Sequence, residues 1–83
     1  MMMRVKFEEQ LARLNAMLIE MGGLIEASIA TSVEALQNQD IDLARKTITL
    51  DCEIDQMERD IDSLCMKLLL QQQAVARALR LVA

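Results

Sequence analysis

The fold of this chain is decided by residues 43–82, LARKTITLDCEIDQMERDIDSLCMKLLLQQQAVARALRLV. Within this stretch, side chains that are almost all apolar recur in alternating steps of four and three residues. They are Leu43, Thr47, Leu50, Ile54, Met57, Ile61, Leu64 and Leu68. Because an α-helix has about 3.6 residues per turn, this spacing lines them along one side of a helix. The stretch predicts a long amphipathic helix.

A second line at helical spacing, made of carboxylates, runs beside the apolar one: Asp51, Asp55, Glu58 and Asp62. One interpretation is a solvated polar face, with Arg59 and other basic residues compensating the charge. The other is a cation site, since Asp51 and Asp55 lie four residues apart and hard cations prefer oxygen ligands. Two carboxylates on one helix are too few to close such a site, so other ligands would have to come from another helix or chain.

The composition predicts an all-α protein of one small domain. The 83 residues are 53% hydrophobic, with Phe7 as the only aromatic residue and no Pro, Trp, Tyr or His. Strands favour β-branched and aromatic residues, whereas strong helix formers such as Leu, Met, Ala, Glu and Gln dominate here. A chain this short buries a modest fraction of its surface, so its stability alone would be small.

A first helix is predicted over about residues 5–38. Its apolar stripe is predicted to contain Phe7, Leu11, Leu14, Leu18, Met21 and Ile25, widened by Met17, Leu24 and Ile29 and closed by Val33 and Leu36. Gly22 and Gly23 interrupt this pattern, at a cost of about 1 kcal/mol each relative to Ala. Either a neighbouring backbone approaches closely there, or the helix kinks or breaks.

A turn is predicted at residues 38–40, with Asp40 as the N-cap of the second helix because its carboxylate can accept bonds from first-turn amides. So short a turn folds two helices back as an antiparallel hairpin. The second helix is predicted over about residues 41–72. The alternating four-and-three spacing permits this helix to continue to Val82, although Gln71–Gln73 weaken the apolar line.

Two amphipathic helices leave apolar surface uncovered, which predicts self-association as a dimer or higher oligomer with a bundle architecture. The residues expected at the oligomer interface are apolar members of the second-helix stripe: Leu50, Ile54, Met57, Ile61, Leu64, Leu68 and Val75.

The residue inventory argues against catalysis and nucleic-acid binding. There is no His or Tyr, no serine or cysteine with a plausible partner base, and no Gly-rich phosphate loop. The formal charge of −4, from 13 acidic and 9 basic residues, disfavours a phosphate-backbone ligand. Cys52 and Cys65 lie too far apart on one helix to pair. They are predicted to be small buried hydrophobic side chains, with an intermolecular disulfide or a soft metal ligand as the alternative.

The chain is expected to be soluble and cytoplasmic, without membrane insertion. Its first residues, MMMRVKFEEQ, lack the apolar region of a secretory signal. The longest apolar patch, residues 64–70, is interrupted by Lys67, and no run approaches the roughly 18 uncharged apolar residues of a span.

Residues 50–83 resemble the corresponding part of the PhoU family of phosphate-uptake regulators, as do EMGGLIEASIATSVEAL at 20–36 and QNQDIDLARKTITLD at 37–51. The QQxxVAxxLR segment and the DxxID pattern carry the resemblance. It implies a repeat built as a three-helix bundle, of which this chain covers about the first two-thirds. It also implies a cytoplasmic regulator that couples the phosphate transporter to a sensor kinase.

The family's metal-binding pattern is an acidic residue followed, four positions later, by Asp. Here the resemblance places it on Asp51 and Asp55, with iron or another divalent metal as the implied cofactor and Glu58 and Asp62 as flanking carboxylates. Two positions depart from the family. Ala74 stands where Pro is usual and Ala78 where Asp is usual. Since Pro and Asp would end one helix and start the next, their loss favours a continuous second helix.

The function expected from the residues and the resemblance is non-catalytic regulation of phosphate uptake and phosphate-starvation signalling by protein contact. The expected partners are further copies of the chain, the transporter ATPase and the sensor kinase. Two alternatives stay open. One is a carboxylate metal-binding protein whose site is completed across subunits, and the other is a plain helical oligomerisation module without metal.

Overall fold

Two helices make up the described chain. The structure is a computed structural model that describes the backbone of residues 2–82 and the side chains of residues 5–81. Helix α1 is Met2–Asn38 and helix α2 is Ile41–Val82. They pack side by side as an antiparallel hairpin measuring 66 × 16 × 13 Å. The all-α hairpin is therefore confirmed. Helix α1 starts before the predicted residue 5, and α2 passes through Gln71–Gln73 without a break.

The turn ends α1 with a residue in the left-handed region. Gln39 has a φ of 49°. The Gln39 amide donates to the Leu36 carbonyl at 3.4 Å, and the Asp40 amide donates to the Ala35 carbonyl at 3.0 Å. This pair of bonds is the Schellman motif, which satisfies carbonyls that the helix end would leave free. A two-residue connection is enough to reverse the chain.

Asp40 then begins α2, as predicted. Its carboxylate Oδ1 accepts a hydrogen bond from the Leu43 amide at 3.1 Å. Its carbonyl accepts the first helical bond from the Ala44 amide, also at 3.1 Å. One residue therefore closes α1 with its backbone amide and opens α2 with its side chain.

Replacing Gln39 with Gly is expected to stabilise the hairpin by about 1 kcal/mol, because a left-handed conformation is unfavourable for a residue with a Cβ and costs glycine nothing. Chemical denaturation followed by circular dichroism measures the change. The matched control is Gln37→Gly, which lies inside the last turn of α1 and should destabilise by a similar amount. A stabilisation by both substitutions would contradict the assigned turn.

The predicted apolar line of α2 is the side that packs on α1. Every member from residue 43 to residue 75 is buried or half-buried: Leu43, Thr47, Leu50, Ile54, Met57, Ile61, Leu64, Leu68, Gln71 and Val75. Ile61 and Leu68 are the most enclosed, at 6% and 5% exposed. The seven residues expected at an oligomer interface belong to this line, so the structure places them between the two helices of one chain. A further role for them between chains stays a prediction.

The side of α1 that packs on α2 matches the predicted stripe only in part: Phe7, Leu14, Met17, Met21 and Leu24 belong to both. It consists of Phe7, Gln10, Leu14, Met17, Met21, Leu24, Ser28, Thr31 and Ala35. Of the predicted stripe, Leu11, Leu18, Ile25, Ile29, Val33 and Leu36 are exposed instead. The apolar count failed because polar and small residues occupy the contact, and because α1 is apolar on more than one side.

Neither expectation for the two glycines holds within the described chain. Helix α1 passes through Gly22 and Gly23 as continuous α-helix. A Cβ built at either position would meet nothing within 4 Å. No neighbouring backbone in the hairpin therefore accounts for the absence of side chains at these positions.

The hairpin exposes more surface than its mass requires. Its accessible surface is 6835 Å², whereas a compact protein of 9.4 kDa exposes about 5,000 Å². In the described chain, residues 5–38 also form a helix long and apolar enough to cross a membrane by length and composition, and 6% of its most apolar window is buried. One such helix near the N-terminus is weak evidence of a span, so the feature to explain is the exposed apolar surface.

Candidate functional site

A hydrogen bond joins α1 to α2 and shows which of their residues lie side by side. The hydroxyl of Ser28, which is 8% exposed, donates to Oδ1 of Asp51 at 2.8 Å. Ser28 therefore lies level with Asp51. Since both helices rise about 1.5 Å per residue in opposite directions, Ile25 lies level with residue 54 and Leu18 with residue 61. The same count brings the start of α1 level with residue 77, so Leu79 and Leu81 extend past it.

The exposed apolar column of α1 and the acidic row of α2 lie on the same side of the hairpin. Ser32 continues the column of Leu11, Leu18 and Ile25 at seven-residue spacing, and Ala44 stands seven residues before Asp51. Ser32 and Ala44 line one depression. Because seven residues make almost two full helical turns, the two columns share that side along the hairpin.

We call this side the acidic face. Its apolar members are half-exposed to exposed and lie on both helices: Leu11, Leu18 and Ile25 on α1, and Ile48, Leu69 and Leu79 on α2. Its charged members are Asp51, Asp55, Glu58 and Asp62. The sequence identified the acidic row, but the apolar count assigned Leu11, Leu18 and Ile25 to the packed stripe of α1, whereas they are exposed. Their seven-residue spacing was the signal that they form a column of their own.

The charge of the acidic row is not compensated within residues 5–81. Asp55, Glu58 and Asp62 are exposed and have no hydrogen bond or ion pair there. The expected compensation by Arg59 is absent from these described side chains, although Arg59 stands four residues after Asp55 and three before Asp62, the spacings at which side chains of a helix are neighbours. The ion pair that the described part does contain, Arg45 to Asp42 at 3.9 Å, is on exposed side chains near the start of α2.

Basic residues of α2 avoid the acidic face. Two columns of α2 at seven-residue spacing form its part of this face, and neither contains Lys or Arg. They are residues 44, 51, 58, 65, 72 and 79, and residues 48, 55, 62, 69 and 76. The six basic residues of α2 all lie in other columns: Arg45, Lys46, Arg59, Lys67, Arg77 and Arg80. The basic residues of α2 are therefore kept to its other sides, which also carry carboxylates such as Glu53 and Asp60.

A shallow depression marks the turn end of the acidic face. It has a volume of about 550 Å³ and is lined by Ser32, Ala35, Leu36, Gln39, Asp40, Ile41, Ala44 and Thr47. Most of these side chains are apolar or small. Among the lining residues, Ala35 is buried, whereas Leu36 and Ile41 are 79% and 70% exposed. The depression therefore offers mainly apolar contact.

Asp51 and Asp55 do not form a metal site by themselves. One oxygen of Asp51 already accepts the Ser28 hydroxyl. In the part of the chain that the structure describes, no three His, Cys, Asp or Glu side chains gather closely enough to hold a metal ion. A hard cation takes six or more oxygen ligands, so the described residues alone do not fit the implied metal.

The cysteines are both free. Cys65, on the acidic face beside Leu64, is half-buried, whereas Cys52 is exposed. The prediction of a buried side chain is therefore wrong for Cys52. Its position two residues after Leu50 turns it about 200° away from the packed side of α2.

The fold and the acidic face define a class of protein: an all-helical hairpin with one open side suited to contact with another helix. Comparison with known proteins identifies the family. The model of the PhoU domain matches residues 18–83. The chain belongs to the PhoU family.

Three relatives illustrate the relationship, each described as a phosphate-specific transport system accessory protein PhoU or its homologue. The Edwardsiella tarda protein is 36% identical over 77 residues, covering 93% of this chain and 32% of the relative. The Pseudomonas aeruginosa homologue is 38% identical over the same shares. The Rhizobium meliloti homologue is 40% identical over 89% of this chain and 31% of its own length.

The chain thus spans about a third of the length of these relatives. No solved structure matches it. The family membership confirms the resemblance seen in the sequence, whereas the activity and partners of the longer proteins reach this chain only by inference.

Proposed function

We propose that this chain is a non-catalytic accessory module of phosphate uptake that acts by protein contact and restrains the phosphate-starvation response. The family membership and the relatives' description as accessory proteins of a phosphate transport system support this function. The observation that carries it is the open acidic face, where apolar side chains and unpaired carboxylates lie together on one side of the hairpin. Such a surface suits binding and offers no catalytic constellation.

The finer proposal is that the module works in the cytoplasm, as a homo-oligomer, and contacts the transporter ATPase and the sensor kinase. Its accessible surface, roughly a third above that of a compact protein of its mass, supports assembly with other helices. A specific interface buries about 1,600 Å² in total, which this excess can supply.

Complementation tests the function. The 83-residue chain is expressed in a bacterium whose own PhoU gene has been deleted, and a reporter driven by a phosphate-starvation promoter is measured in phosphate-rich medium. The chain is expected to lower reporter activity several-fold relative to the empty vector. The matched control, Leu68→Asp, buries a charge in the hairpin and should leave the reporter fully active. A folded, well-expressed chain that leaves the reporter unchanged would argue against the proposal.

Metal binding across subunits is the second candidate, and the absence of a cation partner for the acidic row is what favours it. We propose that Asp51 and Asp55 contribute ligands only when another chain supplies the rest. Elemental analysis of the purified assembly is expected to find a divalent metal or iron that is lost in the variant Asp51→Asn with Asp55→Asn. The control variant is Glu53→Gln with Asp60→Asn, which removes two carboxylates from outside the acidic face. If this control and the Asp51→Asn, Asp55→Asn variant contain equal amounts of metal, the candidate is excluded.

The plain oligomerisation module predicts neither result. If the chain assembles, carries no metal and leaves the reporter unchanged, that third interpretation replaces the first two. A transporter or sensor-kinase gene beside this one would favour the regulator.

A further inference from the structure

We propose that the end of the hairpin opposite the turn is built to separate while the turn end stays closed. This open end consists of residues 5–10 of α1 and of the residues level with them on α2, 69–74. The inference concerns the motion of a single chain and goes beyond the proposed function. It is carried by the side-chain amide of Gln10, whose oxygen is buried without a hydrogen-bond donor.

Gln10 lies on the packed side of α1, where its amide oxygen is shut off from solvent. Among the described side chains, this oxygen is the one buried nitrogen or oxygen atom without a hydrogen-bond partner. A buried acceptor in this state has given up its bonds to water and has received none in exchange. The closed hairpin therefore carries a free-energy penalty at Gln10, and water that enters between the helices removes it.

A second amide weakens the contact at the same end. Gln71 belongs to the packed line of α2 and is half-buried. In the register given by the bond from Ser28 to Asp51, Gln10 lies level with residue 69, so Gln71 is about 3 Å further along the hairpin. In residues 5–81 no hydrogen bond joins the two amides. Two glutamines thus interrupt the apolar contact without pairing with each other.

Burial decreases at the same point of the hairpin. The described part contains five buried residues: Ser28, Ala35, Ile61, Leu64 and Leu68. None of them lies further from the turn than Leu68. The packed side chains beyond it, Phe7, Gln71 and Val75, are half-buried. Since the stabilisation from packing grows with the apolar area removed from water, the open end gains less from staying closed than the middle of the hairpin does.

The turn end has the opposite character. The amides of Gln39 and Asp40 donate to carbonyls of α1, and the carboxylate of Asp40 caps α2. The buried hydroxyl of Ser28, between the turn and the middle of the hairpin, donates to Asp51 at 2.8 Å. Polar groups are therefore paired toward the turn and unpaired at Gln10, so the helices come apart first at the open end.

Distances between paired spin labels test the inference. Lys6→Cys with Gln73→Cys places labels at the open end, and Glu34→Cys with Arg45→Cys places them near the turn. All four positions are exposed. Each pair is level across the hairpin, and the two pairs occupy the same columns because they are four heptads apart on both helices. Double electron–electron resonance is expected to give a broader distance distribution, extending to longer distances, for the open-end pair.

Two precautions restrict the measurement to one chain. Cys52→Ser and Cys65→Ala remove the native thiols from both labelled proteins. The labelled chain is then diluted with an excess of unlabelled chain, so that distances between two copies do not contribute if the chain assembles.

A matched pair of substitutions assigns the motion to the amide. Gln10→Met removes the unpaired group and keeps the length of the side chain. It is expected to narrow the open-end distribution to the width found near the turn and to raise the melting temperature by several degrees. The control is Gln72→Met, which makes the same change at an exposed position of the same end and should alter neither quantity.

Three results would overturn the inference. Equal widths for the two label pairs, with Gln10 in place, would show that both ends are equally closed. A broad open-end distribution that Gln10→Met leaves unchanged would assign the motion to fraying of the helix ends. A lower melting temperature in Gln10→Met would show that the amide oxygen has a partner in solution.

Discussion

Replacing Leu68 with Ala is expected to lower the free energy of unfolding by about 2–4 kcal/mol, the cost of lost burial plus the cavity left behind. Leu68 is 5% exposed and packs between the helices. A hairpin of 83 residues has little stability to spare, so this loss should unfold a large fraction of the chain. Urea denaturation followed by circular dichroism, at one fixed protein concentration, measures the change.

The neighbouring Leu69→Ala provides the control. Leu69 is 62% exposed, so its truncation should change stability by less than about 0.5 kcal/mol. An equal loss in both variants would mean that Leu69 is covered in solution, and the acidic face would then be occupied already in the purified protein.

Replacing Asp40 with Ala is expected to destabilise the hairpin by about 1 kcal/mol, because the Leu43 amide loses the carboxylate oxygen that caps α2. Asp40→Asn is the matched control, since an amide oxygen accepts the same bond and caps nearly as well. Chemical denaturation compares the three proteins. A loss of the same size in the Asn variant would assign the effect to charge at the start of the helix and not to the hydrogen bond.

The sequence was sufficient for α2. Its packed side repeats at the predicted spacing from Leu43 to Val75, and the structure buries or half-buries those positions. Ala74 and Ala78 explain why the helix does not stop after Gln73, since neither residue breaks a helix as Pro or a capping Asp can. Asp40 was recognisable as the N-cap from its residue type, since a short carboxylate can accept bonds from the free amides of the first turn. Past Val75, the apolar line of α2 was predicted to continue through Ala78 and Val82. Ala78 is exposed, and the side chain of Val82 lies outside the described residues.

The register of α1 could not be predicted from hydrophobicity. Leu11, Leu18 and Ile25 are as apolar as the residues that are buried, so an apolar count alone does not decide which column faces α2. The contact includes Ser28, a small polar residue bonded to Asp51, which no apolar count would select. The left-handed conformation of Gln39 could not be predicted either, since a helix that ends in a Schellman motif usually has Gly at that position.

The acidic row was recognised from spacing, but its surroundings were not. The spacing of Arg59 from Asp55 and Asp62 permits an ion pair with either, and the described side chains do not form one. The structure also gives Asp51 a partner on the other helix, which the spacing within α2 could not reveal. The metal role of Asp51 and Asp55 stays a prediction.

The two-residue turn limits how the hairpin can move. Gln39 and Asp40 leave no slack between the last bond of α1 and the first bond of α2, so sliding one helix past the other by a helical turn would break both ends. Shear motion is therefore closed to this protein, whereas a hinge at Gln39 can splay the far ends. Any signal that passes through the hairpin should travel as a change in the opening angle of its helices.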